Sequence, residues 1–458
     1  SGAQPADGPD AQAITDLQRA FERQRAAYRR DMCPTLAQRI ALLRQLESLL
    51  VDNRQAIVEA INKDFGCHPA ALTGLVEVMP TVLRARFAPK PLKRWMKPQA
   101  RAVNRMLFGL ARNSVVAQPV GVVGNMSPWN FPFEIALGPL VDMLAAGNRV
   151  ILKPSDITVH SSALIAELVA KYFDPEWVTV ATGGVAMAEA FTHLPWDHLV
   201  YTGGPEIGRK VMRAAAEHLT PVTLELGGKC PTIFDVDAVT PNNVRDVMAT
   251  KMIKSGQMCI TPDYVLVPAP QLEAFIGMAQ KAIQAMYPRQ IDNPDTTSII
   301  NQRHFERLIG YLDEARAQNA RIVSVDPHNE GADPVHRKIP LTLVVDPAPN
   351  LAVARNEIFG PILLVLTYDS LDEALAHINQ GERPLALYVF SKNTATIQRV
   401  MQGTISGAVC VNAAAAHGLQ ADLPFGGIGN SGMGHHHGHD GFLSFSKLKP
   451  VFRQGHRR

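Results

Sequence analysis

The sequence predicts an α/β protein with parallel sheets and more than one domain, and three observations carry that reading. Short β-branched runs alternate with helical stretches from about residue 120 to 226. A second α/β block follows, from about Cys230 to Val411. The chain has 458 residues, too many for one ordinary core.

The first hundred residues read as helices. Thr35 is suited to cap a helix whose apolar residues Leu36, Ile40, Leu43, Leu46 and Leu50 recur at helical spacing. Asn53 is placed to cap the next, with Ile57, Ile61 and Phe65 on its inner face. Between Arg84 and Arg112 stand nine Lys or Arg and no acid, with Trp95 among them. A solvated or subunit-contact surface is expected there, and a nucleic-acid face is the alternative.

Strands are expected at 120–123, 150–152, 178–180, 198–201 and 222–224, with helices at 135–146, closed by Gly147-Asn148, and at 161–172. Thr240-Pro241 opens a later helix, as N-cap and first-turn proline. Parallel sheets bind ligands at the carboxyl ends of their strands, which is where the Gly- and Pro-rich turns fall.

Composition narrows the function. A net charge of +3 gives no global reason to expect nucleic acid or a membrane surface as partner. No run approaches the ~20 apolar residues that span a bilayer. The segment from Ser1 to Gln12 reads as a disordered tail, and the basic run His456-Arg457-Arg458 carries no hydrophobic anchor. Five widely spaced cysteines without a CxxC pair argue for free thiols in a reducing compartment, hence the cytoplasm, and against a zinc site. A free cysteine is ordinarily just a small buried apolar residue, so a nucleophile must be argued from its setting.

Four segments frame a polar or reactive residue with Gly or Pro. In Pro128-Trp129-Asn130-Phe131-Pro132, two prolines fix a loop after the first strand, and Asn130 can donate an amide N–H to an oxyanion or merely satisfy the loop. In Leu224-Glu225-Leu226-Gly227-Gly228-Lys229, a carboxylate at a strand end is placed as a general base, unless it is simply paired with Lys229. In Gly256-Gln257-Met258-Cys259, a cysteine follows a helix in a loop that substrate can reach; a thiol with a pKa of about 8.5 then needs local activation. In Asn356-Glu357-Ile358-Phe359-Gly360-Pro361, an acid and an aromatic precede a turn, suited to a ribose and a flat ring or to an ordinary surface.

Together, and in this order, these segments resemble the motifs of the aldehyde dehydrogenase family, and the chain is similar to it from about Leu36 onward. The stretches 301–305, 384–391 and 424–434 resemble the shorter class 3 branch, bacterial coniferyl aldehyde dehydrogenases in particular. The resemblance implies that Cys259 attacks the aldehyde carbon, and that Asn130 and the Cys259 backbone N–H hold the oxyanion. It implies that Glu225 activates the water that hydrolyses the resulting thioester, and that the product is a carboxylic acid. It implies NAD as cofactor, with NADP tolerated. Ser127, Trp129, Lys153, Asp156, Gly203, Gly208, Glu357 and Phe359 would bind that cofactor. Asp156 stands where the family usually has glutamate, one methylene longer, and Gly204-Pro205 replaces a hydroxyl-bearing turn.

The architecture implied is a Rossmann-type coenzyme domain (1–100 and 119–226), an α/β catalytic domain (227–411) and a small β oligomerisation arm (101–118 and 430–458). A homodimer and a small aldehyde substrate, aromatic or medium-chain aliphatic, follow from the same resemblance. The run His435-His436-His437-Gly438-His439 suggests a metal, but an adventitious surface cluster is expected instead, since the family needs none for catalysis. Two rival classes are a binding protein that has lost the chemistry and an acyltransferase that passes the thioester to coenzyme A.

Overall fold

The computed structural model describes residues 10–455. The expected N-terminal tail lies outside the described residues as far as Pro9; Ala11 and Gln12, its last positions, instead open the helix Ala11–Arg30. The basic run at 456–458 also lies outside them.

Helices fill most of the first hundred residues. Thr35 Oγ1 accepts the Gln38 N–H (3.3 Å) while Gln38 Oε1 accepts the Thr35 N–H (2.8 Å), a reciprocal box that opens Leu36–Asp52. Asn53 precedes Arg54–Phe65 but does not cap it. Its amide turns back to the Leu49 carbonyl (2.8 Å) and the Tyr172 hydroxyl (3.1 Å), so it closes the preceding helix instead. Arg84 departs from the expected solvated basic face: it is 2% exposed and paired with Glu134.

Sixteen strands form three sheets among the described residues. β1 (Gln99–Arg101) and β2 (Arg112–Pro119) begin the smallest. β3 (Val122–Met126), β4 (Arg149–Lys153), β5 (Val178–Val180), β6 (His198–Gly203) and β7 (Val222–Leu226) pair in parallel. All five expected runs form strands. The first is displaced towards the C-terminus because Gly121, at φ +141°, breaks the chain against Asp197, whose carboxylate takes the Val122 N–H (2.8 Å).

The second sheet comprises β8 (Cys230–Phe234), β9 (Pro262–Pro268), β10 (Arg321–Ser324), β11 (Thr342–Val345), β12 (Ile362–Tyr368), β13 (Ala386–Phe390) and β14 (Ala408–Val411). Its order is β10-β11-β12-β9-β8-β13-β14, parallel except at β10. β8, β9 and β13 are buried along their whole length, as expected for a parallel sheet covered on both faces. Thr240 caps Pro241–Met252 through the Asn243 N–H.

The stretch from 430 onward, expected in the arm, divides. β15 (Gly432–Met433) adds to the edge of the first sheet, antiparallel to β7, with Gly432 opposite Glu225. The helix Gly438–Ser444 packs on Glu134–Ala145. Only β16 (Ser446–Arg453) joins β1 and β2 in the arm sheet. The first sheet thus runs β15-β7-β6-β3-β4-β5, and its strand order reverses between β3 and β6. A ligand crevice belongs at such a switch point.

Candidate active site

The loop that carries Cys259 is held in a costly conformation. After Pro241–Met252 ends, Lys254 (φ +49°), Ser255 (+52°) and Gly256 (+76°) are all left-handed. For non-glycine residues this costs about 1–3 kcal/mol each, so the surroundings must enforce it. The Lys254 ammonium is fully buried and ion-paired with the equally buried Glu77. It also donates to the Asn130 carbonyl (2.5 Å) and lies 4.2 Å from the Phe131 ring centre. Glu77 in turn accepts the N–H groups of Phe133 (3.1 Å) and Glu134 (2.9 Å). One ion pair therefore ties the Asn130 loop to the cysteine loop.

Gln257 secures the same turn, donating to the Lys254 and Ser298 carbonyls and accepting the Ile300 N–H. Gly256 abuts the Gly360 carbonyl so closely that any Cβ would collide with it, which locks the cysteine loop to the Glu357–Gly360 turn. Asn130 Nδ2 donates to the Gln257 carbonyl (3.2 Å). An amide nitrogen carries two hydrogens, so a second N–H is available for a ligand.

Two carboxyls stand near the thiol. Glu225, at the end of β7, is 3% exposed and neither oxygen has a hydrogen-bond partner. Lys229 does not neutralise it: that ammonium pairs with Asp263 and donates to the Asn356 carbonyl (2.8 Å). Uncompensated burial pushes the Glu225 carboxyl well above the usual range. Glu357 takes the Gly228 backbone N–H, yet burial still raises it to about 8. A Cβ on Gly227 would strike the Glu357 carboxyl, which accounts for glycine there. The Cys259 thiol is half-buried and pushed up by desolvation and by the nearby Glu357 and Glu225, so the free protein carries a thiol and not a thiolate.

Cys259 and Glu225 line one cavity of about 290 Å³. Its other walls are mainly apolar, including Phe131, Ile135, Met258, Leu385 and Phe425. His436 and His437 also line it and are each 5% exposed, which corrects the expected surface cluster. The bridge between Phe425 and His436, with backbone bonds of 2.8 and 3.0 Å, folds that segment inward. His436 Nε2 lies 3.9 Å from Glu225 Oε1.

The cofactor candidates gather at the strand ends beside the switch point. Ser127 Oγ, after β3, and Thr202 Oγ1, on β6, are buried without partners. Lys153 ends β4, 5% exposed, donating to the Pro154 (3.2 Å) and Gly183 (3.4 Å) carbonyls, with burial lowering its pKa against the opposing charges of Asp156 and Asp10. Gly203 ends β6, and the helix Pro205–Ala216 that follows has no side-chain cap on its N–H groups, a setting suited to an anion. Gly208, one turn in, packs on Leu226: a Cβ there would come within 2.8 Å of that side chain. Trp129 stands edge-on to Phe359 with ring centres 5.5 Å apart, and Phe359 holds φ +50°. Unpartnered hydroxyls at a switch point, an uncapped helix start and an aromatic beside Glu357 fit a dinucleotide.

Sequence reasoning missed Lys254, Glu77 and His436. The first two carry no motif signal, because their pairing spans 177 residues. His436 was visible in the histidine run, but nothing in that run marks which imidazoles turn inward.

A doubly wound sheet set against a second parallel sheet, with a loop cysteine beside two buried carboxyls, defines a class of oxidoreductase. The chain belongs to the aldehyde dehydrogenase family, whose model, described as "Aldehyde dehydrogenase family", matches residues 4–451. It is 46% identical over 441 residues to a "Probable coniferyl aldehyde dehydrogenase" of Pseudomonas aeruginosa, covering 96% of this chain and 91% of the relative. It is 41% identical to a "Coniferyl aldehyde dehydrogenase" of a Pseudomonas species, covering 95% and 90%. A solved structure described as the substrate-bound state of Staphylococcus aureus AldH superposes with a TM-score of 0.91 at 32% identity, covering 96% of this chain and 95% of that one. The protein is an aldehyde dehydrogenase.

Proposed function

We propose that the protein oxidises an aromatic aldehyde, with coniferyl aldehyde the first choice, or a medium-chain aliphatic one, to the carboxylic acid through a thioester on Cys259. The observation that carries this reading is the shared cavity: Cys259 and Glu225 line the same apolar space, and Asn130 is hydrogen-bonded to the Gln257 carbonyl two residues before the cysteine. Attack by sulfur on the carbonyl carbon creates an oxyanion, which the free Asn130 N–H and the Cys259 backbone N–H stabilise. NAD or NADP, when bound, accepts the hydride. Glu225 then takes a proton from the water that attacks the thioester, the carbon–sulfur bond breaks, and acid leaves. Because burial favours the protonated thiol, Cys259 must be activated within the complex.

Lys153 and Asp156 would hold the adenosine ribose, Ser127, Gly203 and the helix that contains Gly208 the phosphates, and Glu357, Phe359 and Trp129 the nicotinamide end. The charge of Asp156 opposes a 2′-phosphate, which supports NAD over NADP. The cavity volume, near the low end of the ~300–1,000 Å³ typical of small-molecule sites, supports a compact apolar aldehyde. Exposed Met106, Leu107, Leu110 and Phe452 on the arm support a homodimer. Five free cysteines support a reducing, cytoplasmic setting.

The test is reduced-nicotinamide formation across a panel of aldehydes with NAD and with NADP, for the wild type and Cys259→Ala. Activity that vanishes in the variant supports the assignment. Undiminished activity in Cys259→Ala would overturn it, and an acyl-coenzyme A product would favour the rival acyltransferase.

A further inference from the structure

Two histidines on the cavity wall are left without a task once the nucleophile and the base are assigned. The polar side chains that line the cavity are Glu134, Thr202, Glu225, Cys259, His436 and His437. Glu134 is engaged by Arg84 and Thr81. Thr202 stands at a strand end on the cofactor side, and Cys259 and Glu225 are assigned to the chemistry. His436 and His437 remain, each 5% exposed in a space that is otherwise mainly apolar.

Neither imidazole makes a side-chain hydrogen bond among the described residues. His436 Nε2 faces the Glu225 carboxyl across 3.9 Å, too far to bond it. Nδ1 of each ring is buried without a partner, so Nε2 is the nitrogen each can offer to the cavity. Buried polar groups are ordinarily satisfied, and a few placed polar groups in an apolar pocket fix the orientation of its ligand. Two imidazoles left open here point to bonds that the ligand supplies.

We propose that His436 and His437 are specificity-determining residues that hydrogen-bond a hydroxyl on the ring of an aromatic aldehyde. This rests on the aldehyde-oxidation reading above. The chemistry selects a hydroxyl. A neutral imidazole nitrogen is a donor in one tautomer and an acceptor in the other, and a hydroxyl answers both. The two rings lie with centres 4.6 Å apart, so one can receive the hydroxyl hydrogen while the other donates to its oxygen. An ether in that place only accepts, and a bare ring carbon does neither. Burial, with the Arg84 charge nearby, keeps both rings neutral, which leaves no imidazolium to draw a carboxylate-bearing substrate instead.

The pair is built to hold its place. His436 exchanges two backbone hydrogen bonds with Phe425 (2.8 and 3.0 Å) and stacks on its ring with centres 5.7 Å apart. His417 stacks on the same ring, also at 5.7 Å, and its Nδ1 lies 3.2 Å from Cys410 Sγ. His437 gives its backbone N–H to Asp142 (2.8 Å) and precedes the helix Gly438–Ser444. Rings held in this way read position as well as chemistry, so one hydroxyl position should be favoured over the others.

The experiment compares cinnamaldehyde with its ortho-, meta- and para-hydroxy forms by kcat/KM. It uses the wild type, His436→Phe, His437→Phe and the double variant, since phenylalanine keeps a ring and removes the nitrogens. The wild type is expected to favour one hydroxy isomer over cinnamaldehyde about tenfold, the worth of one hydrogen bond. Each variant should lose most of that preference through its activity on the hydroxy substrate, with cinnamaldehyde kept within about twofold. A wild type that ranks no hydroxy isomer above cinnamaldehyde would overturn the proposal. So would variants that keep the preference, or that lose activity equally on both substrates, which marks residues that only shape the cavity. Binding is read separately by calorimetry in Cys259→Ala with NAD present. There the favoured hydroxy aldehyde should bind about tenfold tighter than cinnamaldehyde, and equal affinities would overturn the proposal even where a Phe variant fails to fold. A wild type that oxidises none of these aldehydes would instead sink the proposed function, and the binding arm would still judge the two histidines.

Discussion

The cysteine loop and the strand ends beside the switch point treat their polar groups in opposite ways. Around Cys259, Lys254, Glu77, Asn130 and Gln257 are all engaged with one another, although they come from distant segments. Across the cleft, Ser127 Oγ, Thr202 Oγ1 and both Glu225 oxygens are buried and unpartnered. A buried unsatisfied polar group costs about 1–3 kcal/mol, so the second arrangement is a stability loss in the free protein. The difference separates framework from reception. Groups that hold the Cys259 loop are engaged with one another, and the groups proposed to meet ligand or water are left open.

The largest expected effect tests the framework. Lys254→Met leaves Glu77 charged or protonated in an apolar site and removes the tie to Asn130. Unfolding in urea should show a loss of about 3–5 kcal/mol, the usual cost of breaking a buried pair from one side. Asn130→Ala removes one of the two proposed oxyanion donors and should lower kcat about 10²–10³-fold while the fold stays intact by circular dichroism.

On the open side the pattern should invert. Ser127→Ala and Thr202→Val remove groups with nothing to lose in the free protein, so melting temperature should hold or rise. Cofactor affinity by calorimetry should weaken about two- to tenfold each, the worth of one hydrogen bond. If either substitution destabilised the free protein as Lys254→Met does, the division between framework and reception would fail.

The smallest effect is a pH dependence. Glu225 binds its proton more tightly folded than unfolded, where its value is near 4.5. Above that value the folded state holds more protons, so wild-type stability falls as pH rises towards the folded value of Glu225. Glu225→Gln lacks this term. Its melting temperature should exceed that of the wild type by a margin that widens as pH rises above the unfolded value near 4.5. A constant margin would mean that Glu225 is ionised in the free protein.

Much of this was legible in the residues. Alternating β-branched and amphipathic segments gave the five parallel strands of the first sheet, because a covered parallel sheet leaves that pattern in the chain. Thr35-x-x-Gln38 and Thr240-Pro241 marked helix starts, since capping is local. Asn53 was misjudged because a distant partner, Tyr172, decided its direction. The Lys254–Glu77 pair was invisible for the same reason: long-range pairing leaves no spacing to read. Arg84 and His436 show the limit from the other side, since a charged or histidine-rich run looks solvent-facing until the fold buries individual members.

The central claim is that Glu225 serves hydrolysis and Cys259 carries the acyl group. The direct measurement is the intact and peptide mass of Glu225→Gln after incubation with NAD and a substrate aldehyde. The account predicts near-stoichiometric acyl addition on the peptide containing Cys259, with one equivalent of reduced cofactor formed and little further turnover. An unmodified Cys259 alongside sustained turnover would contradict it.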